Sequence, residues 1–408
     1  MAEKALQGVR VLELANLVSG PYCAKLLADL GADVVKIEEP LKGDEARRRG
    51  PFPDDVPHPE RSGLFLYLNT NKRGITLDIK RATGKGIFKK LVKWADILVE
   101  DRPPGELKGL GLDYESLRTI NPRLIMTSIT PFGQTGPYRN YKAYHLNSYH
   151  AGGEPCILHP NPSTPDRAPV KGPGFMGDYD AGLNAALVTL GILYVRGATS
   201  PGQHIDISKQ ESLASLERLE NVLFANRETI ETKKMVEAKA HGMGNVGGLL
   251  PCRDGYVMAT ASDDHHWKGL VRLMGNPEWA LDERYEREET RTPHAPELSN
   301  RLRQWAQDKG KEEVFHQAQK CGAPAGAVYS PEELVNSPQL RARGFFALID
   351  HPEAGEIEYP SAPYRLSKTP WAIHRPAPLL GEHNEEIYVK LLGCTRQDMM
   401  KIRETGVV

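Results

Sequence analysis

The sequence predicts an α/β fold built on an open, doubly wound parallel sheet. Short apolar runs of strand length alternate with helix-length segments through roughly the first third of the 408 residues. A chain of this length is expected to form about two to three domains. Its 40% hydrophobic and 26% charged residues are ordinary for a globular protein. Strands that alternate with helices favour parallel pairing, and such sheets bind ligands beyond the carboxyl ends of the strands.

The first segments form a strand–helix–strand unit. The predicted helix has proline in its first turn and ends at Gly31. The unit comprises a strand at 9–14, a loop at 16–20, a helix at 21–30 and a strand at 33–37. Further strands are predicted at 74–79, 96–99 and 124–129, with a helix at 85–94.

The composition argues against nucleic-acid and membrane binding. The formal net charge is −1, so there is no basic excess for a polyanion. The longest apolar run, 185–195, is too short for a bilayer, and MAEKALQG lacks the apolar core of a secretory signal. Five scattered cysteines without a C-x-x-C pair favour reduced thiols: Cys23, Cys156, Cys252, Cys321 and Cys394. We therefore expect a soluble cytoplasmic protein.

Several common site motifs are absent. The loop NLVSGP lacks the G-x-G-x-x-G dinucleotide pattern, and ATGKGIFKK lacks the glycine spacing and the Ser/Thr of a P-loop. No H-E-x-x-H or histidine–cysteine cluster predicts a metal, and no G-x-S-x-G predicts an α/β-hydrolase. The basic run at 47–49 is interpreted as a solvated loop, with a phosphate contact as the alternative.

The most informative segment runs from 171 to 216. After a glycine-rich turn it predicts a helix with Leu183, Leu187 and Leu190 on one face and small residues available for close packing. Gly197 is predicted to end that helix. A strand follows at 203–207, and Ser208 with Glu211 forms a capping box for the next helix.

Asp178 falls where the glycine turn meets the start of this helix. Local sequence alone favours a helix N-cap, because an aspartate there accepts backbone N–H groups and suits the helix dipole. Asp180 is the competing cap. A catalytic carboxylate is the alternative for Asp178.

The GDYDAG element, the small-residue helix and SPGQHIDIS resemble the core signature of the class III CoA-transferases, the formyl-CoA and carnitine CoA-transferase family. Further blocks of that family stand in the same order along nearly the whole chain: VLELANLVSGPYCAKLLADLGADVVKIE, LNTNKRGITLDIK, ILVEDRPPGELKGLGLDYESL, NSPQLRARGFF, SAPYRLSKTP and APLLGEHNEEI. The resemblance implies that Asp178 is the nucleophile.

The resemblance also implies a CoA site in the loops after the first strands. It assigns contacts with the adenine, ribose and phosphates to Val18, Ser19, Leu77, Lys80, Asp101, Arg102, Lys142 and Tyr144. Formyl-CoA transferases carry glutamine where this chain has Val18, and arginine where it has Glu39 and Gly109. Lys108 or Arg102 would then supply the missing positive charge.

A glycine-rich loop covers the nucleophile in this family. It corresponds here to HGMGNVGGLLP, with Gly244, Gly247 and Gly248, and is interrupted by Met243, Asn245 and Val246. A plain linker is the alternative interpretation of this segment.

The family fold implies a large Rossmann-like domain made from both chain ends, a smaller inserted α+β domain, and two chains interlocked as a dimer. On this basis the large domain comprises 1–225 and 330–408, and the linker and small domain comprise 226–329. The polar run 226–239 fits a connection between the two.

The implied reaction keeps the thioester energy in covalent bonds. Asp178 attacks an acyl-CoA to give an aspartyl anhydride, and the CoA thiolate returns to form an aspartyl-CoA thioester. A second carboxylate then takes over the CoA, and neither a metal nor a redox cofactor is required. Arg102, Lys142 and His145 would suit a dicarboxylate such as succinate. The chain resembles succinyl-CoA-dependent members that act on aromatic succinates.

The nearest alternative shares the fold. α-Methylacyl-CoA racemases of the same superfamily use a His and an Asp as paired acid and base to invert the carbon next to the thioester. Their HDxNY-like element reads KAYHLNSYH here, so Tyr144 falls on the racemase histidine and His145 one place later. Transferases have tyrosine at that position, which favours transfer. His145 is interpreted either as a core or loop histidine or as a group that reaches the substrate.

A third hypothesis is that the chain is not itself a full catalyst. Some members of the family work as pairs of related chains, one of which mainly binds or supports. Asp178 argues against an inert chain, whereas the altered glycine-rich loop and CoA-contact positions are compatible with one.

Overall fold

The computed structural model describes residues 4–157, 170–199, 201–216, 221–222, 225 and 246–408. The chain divides into two compact units. The larger unit combines both chain ends and comprises Met1–Pro155, Lys171–Glu217 and Arg343–Val408; the smaller comprises Cys156–Val170 and Arg218–Ala342. The predicted connection at 226–239 and Gly244 lie outside the described residues.

A six-stranded parallel sheet forms the centre of the larger unit. Its strands are β1 (Arg10–Leu14), β2 (Asp33–Glu38), β3 (Lys72–Thr76), β4 (Ile97–Glu100), β5 (Ile125–Thr130) and β6 (His204–Ser208). Their order is β3-β2-β1-β4-β5-β6, with every pair parallel. This is the order of dinucleotide-binding Rossmann folds, which reverses between β1 and β4. The predicted α/β fold is confirmed.

Nine α-helices are described between the start of β1 and the residues just after β6. They are α1 (Ser19–Asp29), α2 (Gly63–Leu68), α3 (Ala82–Trp94), α4 (Glu106–Leu110), α5 (Tyr114–Arg118), α6 (His145–Ala151), α7 (Glu154–Ile157), α8 (Met176–Thr199) and α9 (Lys209–Ala214). The predicted strand–helix–strand unit is confirmed, although α1 begins two residues early, at Ser19. Helix α8 continues past Gly197, so the predicted end there is wrong by two residues.

The sheet is buried on both faces. Alternate residues of a strand point to opposite sides, so neighbouring residues belong to different cores. Leu12 and Leu98 belong to a core with α3 and the C-terminal residues, whereas Val11 and Val99 belong to a core with α1 and α8. On that second face the small residues of α8 are buried, while Leu183 and Leu187 are exposed. The small-residue stripe of α8 is therefore the one that packs.

The smaller unit has its own hydrophobic core and an antiparallel sheet. Its strands are β7 (Val246–Cys252), β8 (Gly255–Ala261) and β9 (Ala325–Ala327), and its helices are α10 (Asp264–Leu273), α11 (Glu288–Arg291), α12 (Ala295–Ala306), α13 (Lys311–Cys321), α14 (Pro331–Val335) and α15 (Pro338–Ala342). The chain then adds β10 (Phe346–His351), β11 (Gly355–Pro360) and α16 (Arg396–Glu404) to the larger unit. Among the described residues, no helix combines the length and the apolar character that a membrane span needs.

Candidate active site

Asp178 is the third residue of α8 and lies beyond the carboxyl edge of the sheet. Its Oδ1 accepts hydrogen bonds from Ser19 Oγ at 3.0 Å and from Lys209 Nζ at 2.5 Å. Its Oδ2 lies 2.7 Å from His145 Nδ1, which carries the proton of this bond because the carboxylate is ionised. Each partner begins a helix: Ser19 follows the loop after β1, Lys209 follows β6 directly, and His145 opens α6.

The carboxylate of Asp178 is held in its ionised form. Burial raises its pKa, but the charge of Lys209 and the hydrogen bonds from His145 and Lys209 outweigh burial and lower the pKa to about 2. The residue is only 5% exposed. Among its three partners Lys209 has the most exposed side chain, at 19%.

The loop between β1 and α1 is fixed by buried charged groups. Lys36 Nζ donates to the carbonyl oxygen of Ala15 at 3.0 Å, Leu17 N donates to Asp44 Oδ1 at 2.9 Å, and Asn16 N donates to a carboxylate oxygen after β4 at 2.8 Å. Consecutive backbone groups ahead of Ser19 are thus bonded to side chains. This arrangement holds the Ser19 hydroxyl in place beside Asp178.

Two of the predicted CoA-contact residues lie at the same edge of the sheet. Asp101 and Arg102 follow β4, next to the loop after β1, and Asp101 is the residue that accepts from Asn16 N. Burial raises the pKa of Asp101 to about 6, against the charges of Arg102 and Lys209. Asp101 therefore interacts with the charge of Lys209, the same cation that contacts Asp178.

The remaining predicted contacts divide by exposure. Val18 and Leu77 are buried, and the Leu77 amide already donates to the Glu38 carbonyl oxygen. Lys80 and Lys142 are exposed, and Tyr144 is 69% exposed at the residue before α6. The Ser19 hydroxyl donates to Asp178, and its predicted contact with CoA stays a prediction.

A cavity of 410 Å³ lies next to the loop after β4. Arg102, Lys108 and Arg139 are among its lining residues, so the two cations expected to replace the missing arginines line one cavity. Burial raises the pKa of Glu100, another lining residue, to about 7, although hydrogen bonds from Ser128 and the Arg102 amide oppose this. The partial neutralisation of Glu100 favours an anionic ligand here.

Three sequence interpretations need correction. Gly247 and Gly248 lie in strand β7 of the smaller unit rather than in a loop, paired with β8. Their predicted role in covering Asp178 stays a prediction. Arg47 does not lie in a solvated loop: it is buried and paired with Glu38 at 2.7 Å and with Glu60. Nor is Asp178 the N-cap of α8, since it lies inside the first turn.

Lys209 was not predicted. Its only sequence signal is a cation placed directly after a strand of a parallel sheet, at the edge where such sheets bind ligands. His145, for which two interpretations were left open, contacts the Asp178 carboxylate. Within the described part of the chain, no group of three or more His, Cys, Asp or Glu side chains is placed to hold a metal ion.

Comparison with known proteins places this site in context. A family model described as CoA-transferase family III matches residues 6–384. The succinyl-CoA–D-citramalate CoA-transferase of Chloroflexus aurantiacus is 33% identical over 99% of this chain and 98% of its own length. A formyl-CoA:oxalate CoA-transferase of Rhodopseudomonas palustris is 32% identical over 99% of this chain and 97% of its own.

A solved structure shares the fold. The crystal structure of a CaiB/BaiF family protein from Brucella suis superposes with a TM-score of 0.80 at 30% identity, covering 95% of this chain and 99% of that one. A Mycobacterium tuberculosis protein, at 24% identity, superposes with a TM-score of 0.78 over 94% of this chain and 99% of its own, which bears on the fold alone.

Proposed function

Because this chain belongs to CoA-transferase family III, we propose that it moves CoA from an acyl-CoA donor to a free carboxylic acid through covalent intermediates on Asp178. The observation that carries the proposal is the Asp178 carboxylate itself, ionised and bonded to Ser19, His145 and Lys209 at the carboxyl edge of the sheet. A carboxylate that stays ionised at neutral pH needs no general base in order to attack a thioester.

The proposed reaction has four steps. An oxygen of Asp178 attacks the donor thioester carbon, and CoA thiolate leaves, which gives an aspartyl anhydride. The thiolate attacks the Asp178 carbonyl carbon, the donor acid leaves as a carboxylate, and an aspartyl-CoA thioester remains. The acceptor carboxylate displaces the thiolate to form a second anhydride. The thiolate then attacks the acceptor's carbonyl carbon and restores the Asp178 carboxylate.

For the CoA nucleotide we propose the loops after β1 and β4 and the cavity beside them. Arg102, Lys108 and Arg139 supply positive charge there, which suits phosphate groups. Binding energy from a nucleotide remote from the reacting atoms can hold the thioester against Asp178.

We propose succinyl-CoA as the donor and an aromatic succinate as the acceptor. A relative named for succinyl-CoA supports the donor. Tyrosines next to the nucleophile support an aromatic acceptor: Tyr179 packs edge-on against Tyr22 at 4.9 Å and lies 6.5 Å from Tyr67, measured between ring centres.

We further propose that the chain works as a dimer in the cytoplasm. Leu183, Leu187 and Tyr194 are exposed on one face of α8, and Tyr194 is 87% exposed, so a second copy or a related chain would bury an apolar stripe. Four described cysteines are free thiols, as is usual in cytoplasmic proteins: Cys23, Cys252, Cys321 and Cys394.

Mass spectrometry after exposure to a panel of acyl-CoA thioesters tests the proposed function. We expect a CoA adduct on Asp178 with the correct donor and none in the Asp178→Asn variant, which keeps the size of the side chain. An active wild type without any adduct, or an active Asp178→Asn variant, would refute the proposed nucleophile. Activity that needs a second, different chain would favour a heteromeric pair.

The contact between His145 and Asp178 is also the observation that favours an α-methylacyl-CoA racemase-type reaction, because a His and an Asp are the acid and base of those enzymes. In such a racemase the two bases act on opposite faces of one carbon, so the substrate carbon must lie between them. Here His145 Nδ1 and Asp178 Oδ2 are 2.7 Å apart, which leaves no room for that carbon. Incubation of one acyl-CoA enantiomer in heavy water without an acceptor distinguishes the two. Deuterium at the α-carbon would establish the racemase reaction instead of transfer.

A further inference from the structure

The two oxygens of Asp178 have different surroundings. Oδ1 accepts from two donors, the Lys209 ammonium at 2.5 Å and the Ser19 hydroxyl at 3.0 Å. Oδ2 lies 2.7 Å from His145 Nδ1. The other ring nitrogen of His145, Nε2, is buried, and no described residue forms a hydrogen bond with it. The carboxylate is therefore held in one orientation, with the Lys209 ammonium on Oδ1.

Attack at the Asp178 carbonyl carbon requires a site for a developing negative charge. In the proposed reaction this carbon is attacked twice, once by the CoA thiolate and once by the acceptor carboxylate. Each attack converts the carbonyl oxygen into an oxyanion, which is stabilised best by donors already aimed at it. An oxygen that is to become the bridging atom of an anhydride needs instead a free lone pair.

We propose that Oδ1 stays the carbonyl oxygen throughout and that Lys209 and Ser19 form its oxyanion site, whereas Oδ2 makes and breaks the bonds to acyl groups. This inference rests on the proposed function and assigns roles within the same site. Lys209 is then a catalytic residue, because its ammonium contacts a reacting atom.

The bonds balance under this assignment. When the thiolate attacks, the bond from the carbonyl carbon to Oδ2 breaks, and Oδ2 leaves with the donor acid. An oxygen of the acceptor takes its place in the second anhydride and remains on Asp178 after the final thiolate attack. Each turnover thus exchanges one carboxylate oxygen, and Oδ1 is retained. His145 Nδ1 lies within hydrogen-bond distance of Oδ2 and can therefore donate to the carboxylate that departs with this oxygen.

The charges around this position are mixed. The Lys209 charge contributes to the lowered pKa of Asp178, and it opposes the burial that raises the pKa of Asp101. Arg102 stands next to Asp101 in the loop after β4 and acts on Asp101 in the same direction. His145 lies on the opposite oxygen of Asp178. Removing Lys209 therefore changes two carboxylates, and the test must separate a lost oxyanion donor from lost ionisation.

Oxygen labelling of the wild-type enzyme tests the assignment without any variant. After many turnovers with an excess of acceptor whose carboxylate carries heavy oxygen in both positions, we expect the Asp178 peptide to contain one heavy oxygen. Two heavy oxygens would show that the Asp178 carboxylate rotates between catalytic cycles, so that its two oxygens exchange positions. This result would overturn the assignment. No heavy oxygen at all would instead refute the proposed function, so the two failures are distinguishable.

Variants of Lys209 test the oxyanion role. In Lys209→Met we expect the two attacks at the Asp178 carbon to slow by about 10²–10³-fold, the effect of losing one oxyanion donor. With the donor alone and no acceptor, the acyl adduct should then persist longer before it becomes the CoA adduct. With labelled acceptor present, the second Asp178 oxygen should begin to exchange. Lys209→Arg, which keeps the charge, should recover part of the rate.

The pH dependence supplies the control. If Lys209 only kept Asp178 ionised, raising the pH from about 7 to about 9 would restore the Lys209→Met rate, because any carboxylate pKa near neutrality would be passed. We expect no restoration. Restoration, or an unchanged rate at which the acyl adduct becomes the CoA adduct with the donor alone, would overturn the oxyanion role. Lys320→Met, which removes an exposed lysine of the smaller unit, should match the wild type.

Discussion

A β-carbon at Gly182 would lie 2.6 Å from the carbonyl oxygen of Ser19, closer than real side-chain contacts allow. The absence of a side chain at this residue of α8 lets α1 approach. Because Ser19 begins α1 and Asp178 lies one turn before Gly182, this contact sets the distance between the Ser19 hydroxyl and the Asp178 carboxylate.

Gly182→Ala should therefore damage the site through packing. We expect it to destabilise the protein by about 1–3 kcal/mol, the usual cost of overpacking, and to lower kcat by about tenfold or more as Ser19 and Asp178 separate. Urea titration and steady-state kinetics measure both effects. Gly86→Ala is the matched control: this helical glycine of α3 has open space for a β-carbon, so about 1 kcal/mol of added stability is expected. Equal behaviour of the two variants would contradict the packing role.

Asp178 should contribute pH-dependent stability. Its folded pKa of about 2 is below the unfolded value of about 3.9, so its contribution is present above pH 4 and is lost as the pH falls toward 2. We expect the difference in unfolding free energy between the wild type and Asp178→Asn to be about 1 kcal/mol smaller at about pH 3 than at about pH 6. Urea titrations at the two pH values measure it. A difference that is constant with pH would mean that the pKa is not lowered.

Glu13 should be essential for stability although it lies away from the chemistry. It is fully buried, with Lys36 Nζ and Lys72 Nζ each 2.7 Å from one of its oxygens. Glu13→Gln would remove the carboxylate that pairs with the buried Lys72 ammonium, whereas Lys36 would keep Asp44 at 2.8 Å. Breaking a buried ion pair in this way costs about 3–5 kcal/mol. Thermal and urea unfolding check this. The control is Glu115→Gln, which breaks an exposed ion pair with Arg118 and should cost under about 1 kcal/mol. Comparable losses would argue against the buried network.

The exposed stripe of α8 should be an interface in solution. Leu187, which is 66% exposed, lies near its centre, and Leu187→Glu should place a charge against an apolar partner surface. We expect light scattering to show the wild type as a dimer and this variant as predominantly monomeric. Met400→Glu alters an equally accessible apolar residue of α16 and should leave the dimer intact. A monomeric wild type would refute the dimer proposed for this chain alone.

Periodicity and turn chemistry predicted most of the larger unit. The strands at 33–37, 96–99 and 124–129 are found within a residue or two, because short apolar runs between helices have few other ways to be buried. Ser208 accepts from the Glu211 amide at 3.2 Å, as its position before a helix predicts. The prediction of the third strand is the least accurate, since that strand occupies Lys72–Thr76 rather than 74–79. A buried ion pair allowed Lys72 into the sheet, which hydrophobic periodicity does not predict.

The sequence by itself determined the parallel sheet, the family and the position of Asp178, because each depends on local pattern or on a contiguous signature. Only the tertiary structure decided what surrounds that carboxylate. Lys209, His145 and Ser19 are 31, 33 and 159 residues from Asp178 along the chain. No local pattern relates residues so far apart; the order of the strands brings the helix starts that carry them to one edge of the sheet, where three donors share one buried anion.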